Sequence, residues 1–117
     1  VTEVVRGADL IEPTGRQISL YQTLKQKTVS YLHLPLATDG LGNKLSKQNH
    51  ATAIDLDNPK PTLLNAMRFL GFDIPAALFE ASMDEILLWG CQQWHVSQLH
   101  DSLQKEYRNE LETNGKY

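Results

Sequence analysis

Two lysines three residues apart bracket a serine in the stretch Lys44-Leu45-Ser46-Lys47-Gln48, which follows the turn-forming pair Gly42-Asn43. A lysine ammonium carries three hydrogen-bond donors on a flexible stem, so it can follow phosphate charge as a bond breaks. A loop that closes over a nucleotide can hold such donors ready for the transition state. The pattern is short, however, and a solvated surface turn has the same residues, so both interpretations stay open at this point.

Arg6 is the second candidate for chemistry, because it follows the strand-like pair Val4-Val5 and precedes Gly7. Ligands bind at the carboxyl ends of strands in parallel sheets. A guanidinium placed there matches a carboxylate through two parallel hydrogen bonds, which predicts an anchor for an acidic substrate. A structural ion pair of Arg6 with Asp9 or Glu12 is the equal alternative.

The remaining histidines, tryptophans and basic residues favour structural roles. His33 reaches the Arg6 end of the sheet only if its own segment is a strand, and a lone histidine is more often a core residue. Trp89 and Trp94 stand near Leu88 at helical spacing, which predicts core packing more than a base-stacking platform. Basic residues that could contact a phosphate backbone are diluted by acidic neighbours; they are Lys60, Arg68, Lys105 and Arg108.

The composition is that of one domain or a piece of one. The chain has 117 residues and a net charge of −3, which gives no overall attraction to nucleic acid. The single Cys91 cannot form an internal disulfide, and the four histidines lack zinc-site spacing, so we expect no metal site. No apolar run approaches the roughly 20 residues of a membrane span, and a cytoplasmic location with no membrane partner is expected. Because Val1 opens directly into strand-like sequence without a methionine, we expect a fragment.

The first half of the chain predicts an α/β arrangement. Val4-Val5 reads as a strand, Thr14 as the cap of a helix with Gln17 in a capping box, and residues 30–36 as a strand buried on both faces for part of its length and ended near Pro35. Turns at Asp39-Gly40 and Gly42-Asn43 then leave 44–47 on a mobile loop or short hairpin. Two such strands cannot form a stable sheet alone, so we expect further strands from elsewhere, or a homodimer through the exposed edges.

The second half predicts helices only. Asn58-Pro59-Lys60-Pro61 interrupts regular structure, which places a domain boundary between residues 56 and 57. The predicted helices are Thr62 to Leu70, Pro75 to Ala81, one opened by the capping box Ser82-Met83-Asp84-Glu85 and extending through Trp94, and a last one through Val96, Leu99, Leu103 and Tyr107. The predicted fold class is therefore α/β followed by all-α.

Four blocks, in order, resemble the second half of the catalytic domain of the class I glutamyl-tRNA synthetases. The blocks are Val4-Val5-Arg6-Gly7-Ala8-Asp9-Leu10, Thr14-Gly15-Arg16-Gln17-Ile18-Ser19-Leu20-Tyr21, Tyr31-Leu32-His33-Leu34-Pro35-Leu36 and Lys44-Leu45-Ser46-Lys47-Gln48-Asn49. The shortened glutamyl-queuosine tRNA(Asp) synthetase branch, whose loop commonly reads K-L-S-K-Q, is the most similar. The resemblance covers residues 1–55 well and 56–117 more loosely, and it implies a Rossmann-like catalytic region followed by a helical stem-contact module.

The resemblance implies ATP-dependent activation of glutamate to glutamyl-adenylate, with Mg²⁺ accompanying ATP, and transfer to the queuosine base of tRNA(Asp). Arg6 would bind glutamate, and 44–48 would be the KMSKS-type loop, with Lys47 and Lys44 catalytic and the backbone of Leu45 near adenine. Ser46 and Gln48 would complete the ATP contacts.

The upstream signature of the family, its zinc-binding cysteines and part of its glutamate pocket are not in this sequence. Any zinc would belong to that N-terminal half, and the chain alone is expected to be inactive. The alternatives are a fragment of a discrete glutamyl-tRNA synthetase and a non-catalytic module that binds tRNA or a partner.

Overall fold

The computed structural model describes residues 1–46, 48 and 50–99, and the backbone of residues 104–106. The strands are β1 (Glu3–Gly7), β2 (Ser30–Leu34), β3 (Leu36–Thr38) and β4 (Gln104–Glu106). The α-helices are α1 (Ile11–Thr23), α2 (Lys60–Phe69) and α3 (Met83–Gln93). Single 3₁₀ turns lie at Ala8–Leu10, Ala76–Phe79 and Val96–Gln98.

The first part of the chain is a strand–helix–strand unit. β1 and β2 pair in parallel, with Val4 opposite Tyr31 and Arg6 opposite His33. Since side chains alternate along a strand, these four residues share one face of the pair, and α1 contacts that face through Thr14 and Gln17. The predicted α/β arrangement with a parallel strand pair is confirmed.

The start of α1 differs from the prediction. The helix begins at Ile11, so Thr14 lies inside it and does not cap it, and the predicted capping box with Gln17 is wrong. Pro13 occupies the first turn, where its missing N–H leaves no helical hydrogen bond unmade. The Thr14 hydroxyl instead donates to the Leu10 carbonyl, 2.6 Å away, within the helix.

The predicted strand over residues 30–36 is divided at Pro35. β2 ends at Leu34 and β3 begins at Leu36, since a proline cannot donate to a strand ladder. The expectation of burial on both faces is not met, because β2 is partly exposed along its whole length.

β3 pairs in parallel with β4, Leu36 opposite Gln104 and Thr38 opposite Glu106. The predicted helix through Val96 and Leu99 is therefore wrong over the described residues. A single 3₁₀ turn begins at Val96, and Leu99 after it has an extended backbone. One cause is visible at Gln98, whose side chain donates to the Leu70 carbonyl and ties this segment to the end of α2. Leu103 and Tyr107 lie outside the described residues.

The core of the helical part is apolar. It consists of Leu64, Met67, Ile74, Leu78 and Ile86, with Phe72 and Trp89 packed against it. Phe72 also contacts Trp94, with ring centroids 5.8 Å apart, so both tryptophans take the structural role that their spacing predicts.

The ends of the helices follow local rules, with one shift. α2 begins at Lys60 and not at Thr62, because the first turn of a helix can accommodate Pro61. The prediction that the two prolines prevent helix formation in this stretch is therefore wrong. α2 stops before Gly71, which has a φ of +92°. Glycine adopts this backbone conformation at little energetic cost. The Ser82–Glu85 capping box of α3 is confirmed, and Pro75 introduces only one 3₁₀ turn.

Residues 51–58 form neither helix nor strand, and the division of the chain between 56 and 57 stays a prediction. Among the described residues, none of the helices has both the length and the apolar character needed to cross a bilayer.

We expect Leu64→Ala to lower the free energy of unfolding by about 2–5 kcal/mol, because the fully buried side chain leaves a cavity in the core. Urea titration followed by tryptophan fluorescence measures this, since Trp89 packs on the same core. The matched control is Leu41→Ala at a side chain that is 89% exposed, which should change the value by no more than about 0.5 kcal/mol. Equal effects of the two substitutions would contradict the assigned core.

Candidate active site

The segment that leads to Lys44 is a short hairpin built around Asp39. The Asp39 carboxylate accepts the backbone N–H groups of Asn43 and Leu41, each at 2.9 Å, and these hydrogen bonds hold the pKa of Asp39 below its usual value. Lys44 then lies antiparallel to Thr38, and the Leu45 N–H donates to the Ala37 carbonyl at 2.9 Å. The predicted turns and short hairpin are confirmed.

Lys44 forms an ion pair with Asp9. Lys44 Nζ lies 2.7 Å from Asp9 Oδ2, and the Lys44 hydrogen bond holds the pKa of Asp9 below its ordinary value. Asp9 belongs to the 3₁₀ turn directly after β1, so the pair joins the lysine segment to the end of the strand that carries Arg6. The alternative pairing of Arg6 with Asp9 or Glu12 is wrong, because Glu12 pairs with Arg16 at 2.7 Å.

Arg6 is surrounded by neutral groups. Its Nη2 donates to Thr14 Oγ1 at 2.5 Å and to Gln17 Oε1 at 2.7 Å, and its guanidinium lies 5.1 Å from the centroid of the Tyr31 ring. Arg6 Nε is buried without a hydrogen-bond partner in the described part of the chain. No carboxylate among the described residues pairs with this guanidinium, so its charge is held in place but not neutralised.

Thr14 connects Arg6 to His33. The threonine is buried, at 7% exposure, and the only proton of its hydroxyl goes to the Leu10 carbonyl. The oxygen is left to accept from Arg6, and it also lies within hydrogen-bond distance of His33 Nε2, at 2.8 Å. The sequence analysis did not predict this role of Thr14. It could have been inferred from the order of elements, because the first turn of a helix that follows a strand lies over the end of that strand.

A cavity of about 350 Å³ lies between α1 and the Arg6 face of the strand pair. Its wall combines apolar side chains with a few polar groups: Val4, Leu20 and Leu24, and Arg6, Gln17 and Tyr31. Small-molecule sites have this character, mostly apolar with a few fixed polar groups. The cavity can therefore receive a small ligand with one anionic end at Arg6.

The sequence is similar to part of several curated bacterial enzymes. It is 71% identical over 104 residues to a protein of Vibrio parahaemolyticus and 67% identical over 104 residues to one of Vibrio cholerae; both are named glutamyl-Q tRNA(Asp) synthetase. A third, from Klebsiella pneumoniae with the same name, is 50% identical over 102 residues. The chain matches part of a glutamyl-Q tRNA(Asp) synthetase. The family resemblance expected from the four sequence blocks is thereby confirmed.

These matches cover 87–89% of the chain but only 34–35% of each glutamyl-Q tRNA(Asp) synthetase. The chain thus spans about a third of the length of the curated relatives it matches. No protein-family model matches it.

The structure places most residues of the segment from Lys44 to Gln48. Leu45 and Ser46 are half-buried and Gln48 is exposed, while Lys47 lies outside the described residues. The Ser46 carbonyl accepts the Ala51 N–H at 3.1 Å. Within the described ranges no group of three or more histidines, cysteines or acidic residues could hold a metal ion.

We expect Thr14→Val to lower the free energy of unfolding by about 1–3 kcal/mol, because the near-isosteric change removes the hydroxyl that hydrogen-bonds with both Arg6 and His33 in a partly buried position. Thr14→Ser should retain most of the stability. Thr23→Val is the matched control: its hydroxyl makes the same type of bond, to the Ser19 carbonyl, but on the exposed side of the helix. Chemical denaturation of the three variants provides the comparison, and equal losses at Thr14 and Thr23 would contradict the assignment.

Proposed function

We propose that this chain supplies the acidic-substrate anchor and the phosphate-binding loop of a glutamyl-Q tRNA(Asp) synthetase. The whole enzyme would activate glutamate with ATP and transfer it to queuosine in tRNA(Asp). The observation that carries the proposal is the Lys44–Asp9 pair, because it brings the lysine segment to the turn that directly follows Arg6. The similarity to enzymes of that name supports it independently.

Arg6 would bind a carboxylate of glutamate. Both hydrogens of Nη2 are directed at the neutral oxygens of Thr14 and Gln17, and Nε is buried, so the group left for an anion is Nη1. Thr14, Gln17 and Tyr31 fix the guanidinium before the substrate arrives, which lowers the cost of ordering it on binding.

The segment 44–48 would contact ATP. Lys47 would be the donor that stabilises the leaving pyrophosphate, with Ser46 and Gln48 as further polar contacts. The Leu45 backbone would lie near adenine. Mg²⁺, bound with the nucleotide, would neutralise phosphate charge. Preorganised donors aimed at developing charge supply a large part of such catalysis.

The finer architecture is also proposed. The β1–α1–β2 unit would belong to a Rossmann-like sheet completed by strands of the full-length enzyme, and α2 and α3 would form the stem-contact module. Lys60 and Arg68 do not support direct tRNA contact, since Lys60 donates to the Phe79 carbonyl and Arg68 lies over the Phe79 ring. Cytoplasmic location is part of the proposal, and the strand-edge dimer stays a prediction.

In the full-length enzyme, we expect Lys47→Ala to lower the rate of ATP–pyrophosphate exchange by about 10²–10³-fold, because a donor to the transition state is lost. Arg6→Ala should mainly raise the glutamate KM. Exchange rates measured over a grid of glutamate and ATP concentrations separate the two effects. Lys27→Ala, at an exposed lysine between α1 and β2, is the control and should match the wild type. Equal losses in kcat and in both KM values for the two site variants would contradict this division.

The acceptor is tested by comparing tRNA(Asp) that carries queuosine with tRNA(Asp) that carries unmodified guanine at the same position. Glutamate transfer to the modified form alone supports the proposal. Charging of a glutamate-accepting tRNA would instead identify a discrete glutamyl-tRNA synthetase.

A further inference from the structure

The Asp9–Lys44 pair links the carboxyl ends of two strands that belong to different sheets. Asp9 follows β1, while Lys44 stands opposite Thr38, the last residue of β3. The two side chains remain 34% and 51% exposed. Ion pairs so exposed add little to folding stability. The pair instead fixes the position of the lysine segment relative to β1.

The position of the Asp9 carboxylate depends on Gly7. The Gly7 backbone is extended, with φ −68° and ψ 153°, so the conformation itself does not require glycine. A Cβ at this residue would instead lie 2.6 Å from Asp9 Oδ1 and 3.3 Å from a methyl group of Leu36. The absent side chain therefore makes room for the carboxylate to fold back over the end of β1.

The backbone at Lys44 is fixed separately, by the Asp39-centred turn and by the Leu45 N–H bond to Ala37. Asp9 adds a side-chain restraint at the same residue. The segment 44–48 thus starts from a point that is held by both its backbone and its first lysine. Because Asp9 offsets the charge of Lys44, an incoming anion gains less from Lys44 than it would from a lysine without a carboxylate neighbour.

We propose that Asp9 is a positioning residue for the phosphate-binding segment, and that Lys44 serves mainly as its anchor while Lys47 contacts the phosphates. Gly7 belongs to this device because it makes room for the carboxylate. The inference rests on the proposed function for its kinetic consequence, since ATP is the ligand that the segment would meet.

In the full-length enzyme, Asp9→Asn should raise the ATP KM or lower kcat for pyrophosphate exchange by about 10- to 100-fold, because the segment is no longer held in register. The glutamate KM should stay within about twofold of the wild type, and Asp9→Glu should recover part of the loss because the charge is kept. Gly7→Ala should act in the same direction as Asp9→Asn. Glu12→Gln is the matched control: it removes an ion pair of the same 2.7 Å length from α1 and should leave the ATP kinetics unchanged.

A double variant separates positioning from direct contact with the substrate. In a Lys44→Met background, Asp9→Asn should add no further loss, because both changes remove the same interaction. A full additional loss would mean that Asp9 acts on the substrate itself and would overturn the inference. Wild-type ATP kinetics in Asp9→Asn would overturn it as well.

Limited trypsin digestion tests the restraint without relying on activity. Cleavage after Lys44 should be at least about threefold faster in Asp9→Asn and Gly7→Ala than in Glu12→Gln, because the local opening that exposes the bond is easier. Equal cleavage rates would overturn the inference. Absence of pyrophosphate exchange in the wild type would refute the proposed function alone, and the digestion would still decide whether Asp9 restrains the segment.

Discussion

The site depends on the parallel pairing of β1 with β2, in the register that sets Arg6 opposite His33. This register brings both polar side chains to the face that α1 covers, where a single threonine hydroxyl can meet them both. A shift by one residue would turn them to the other face, where Val5 is now 60% exposed. The strand ladder, more than any side-chain contact, decides on which face the Arg6 side chain lies.

The two cations near the end of β1 have opposite surroundings. Arg6 is oriented by neutral oxygens and an aromatic ring, which direct its charge without cancelling it. Lys44 is oriented by a carboxylate, which fixes the side chain and reduces its attraction for an anion. The same kind of residue, a long basic side chain, thus keeps an unneutralised charge in one environment and is paired with a carboxylate in the other.

Sequence reasoning predicted what is encoded by local pattern. The strand at Val4-Val5, the turns around Asp39 and the Ser82–Glu85 cap all follow from neighbouring residues, and the structure contains them. The predictions were wrong where a residue type fits more than one local structure, or where a residue far away in the sequence determines the local structure. Prolines 13 and 61 read as helix boundaries, yet each is accommodated in a first turn. β4 could not be predicted, because its extended form accompanies pairing with β3, some 66 residues earlier in the chain.

The site was only partly accessible to the same reasoning. Residue type and spacing singled out Arg6 and the lysine segment, and strand order placed Arg6 at a strand end. The partners of these cations come from tertiary geometry: Thr14 returns to Arg6 by way of α1, and Asp9 meets a lysine 35 positions away. Spacing along the chain carries no direct record of such contacts, so the alternative that paired Asp9 with Arg6 was wrong.

Pro35 divides one apolar run into two strands that have different neighbours, β2 beside β1 and β3 beside β4. With no N–H to donate, the proline contributes no ladder hydrogen bond at the junction. The chain therefore passes from one sheet to the other there, with Arg6 in the first sheet and the base of the lysine hairpin beside the second. The Asp9 carboxylate, which follows β1, reaches across this division to Lys44, which lies opposite the last residue of β3.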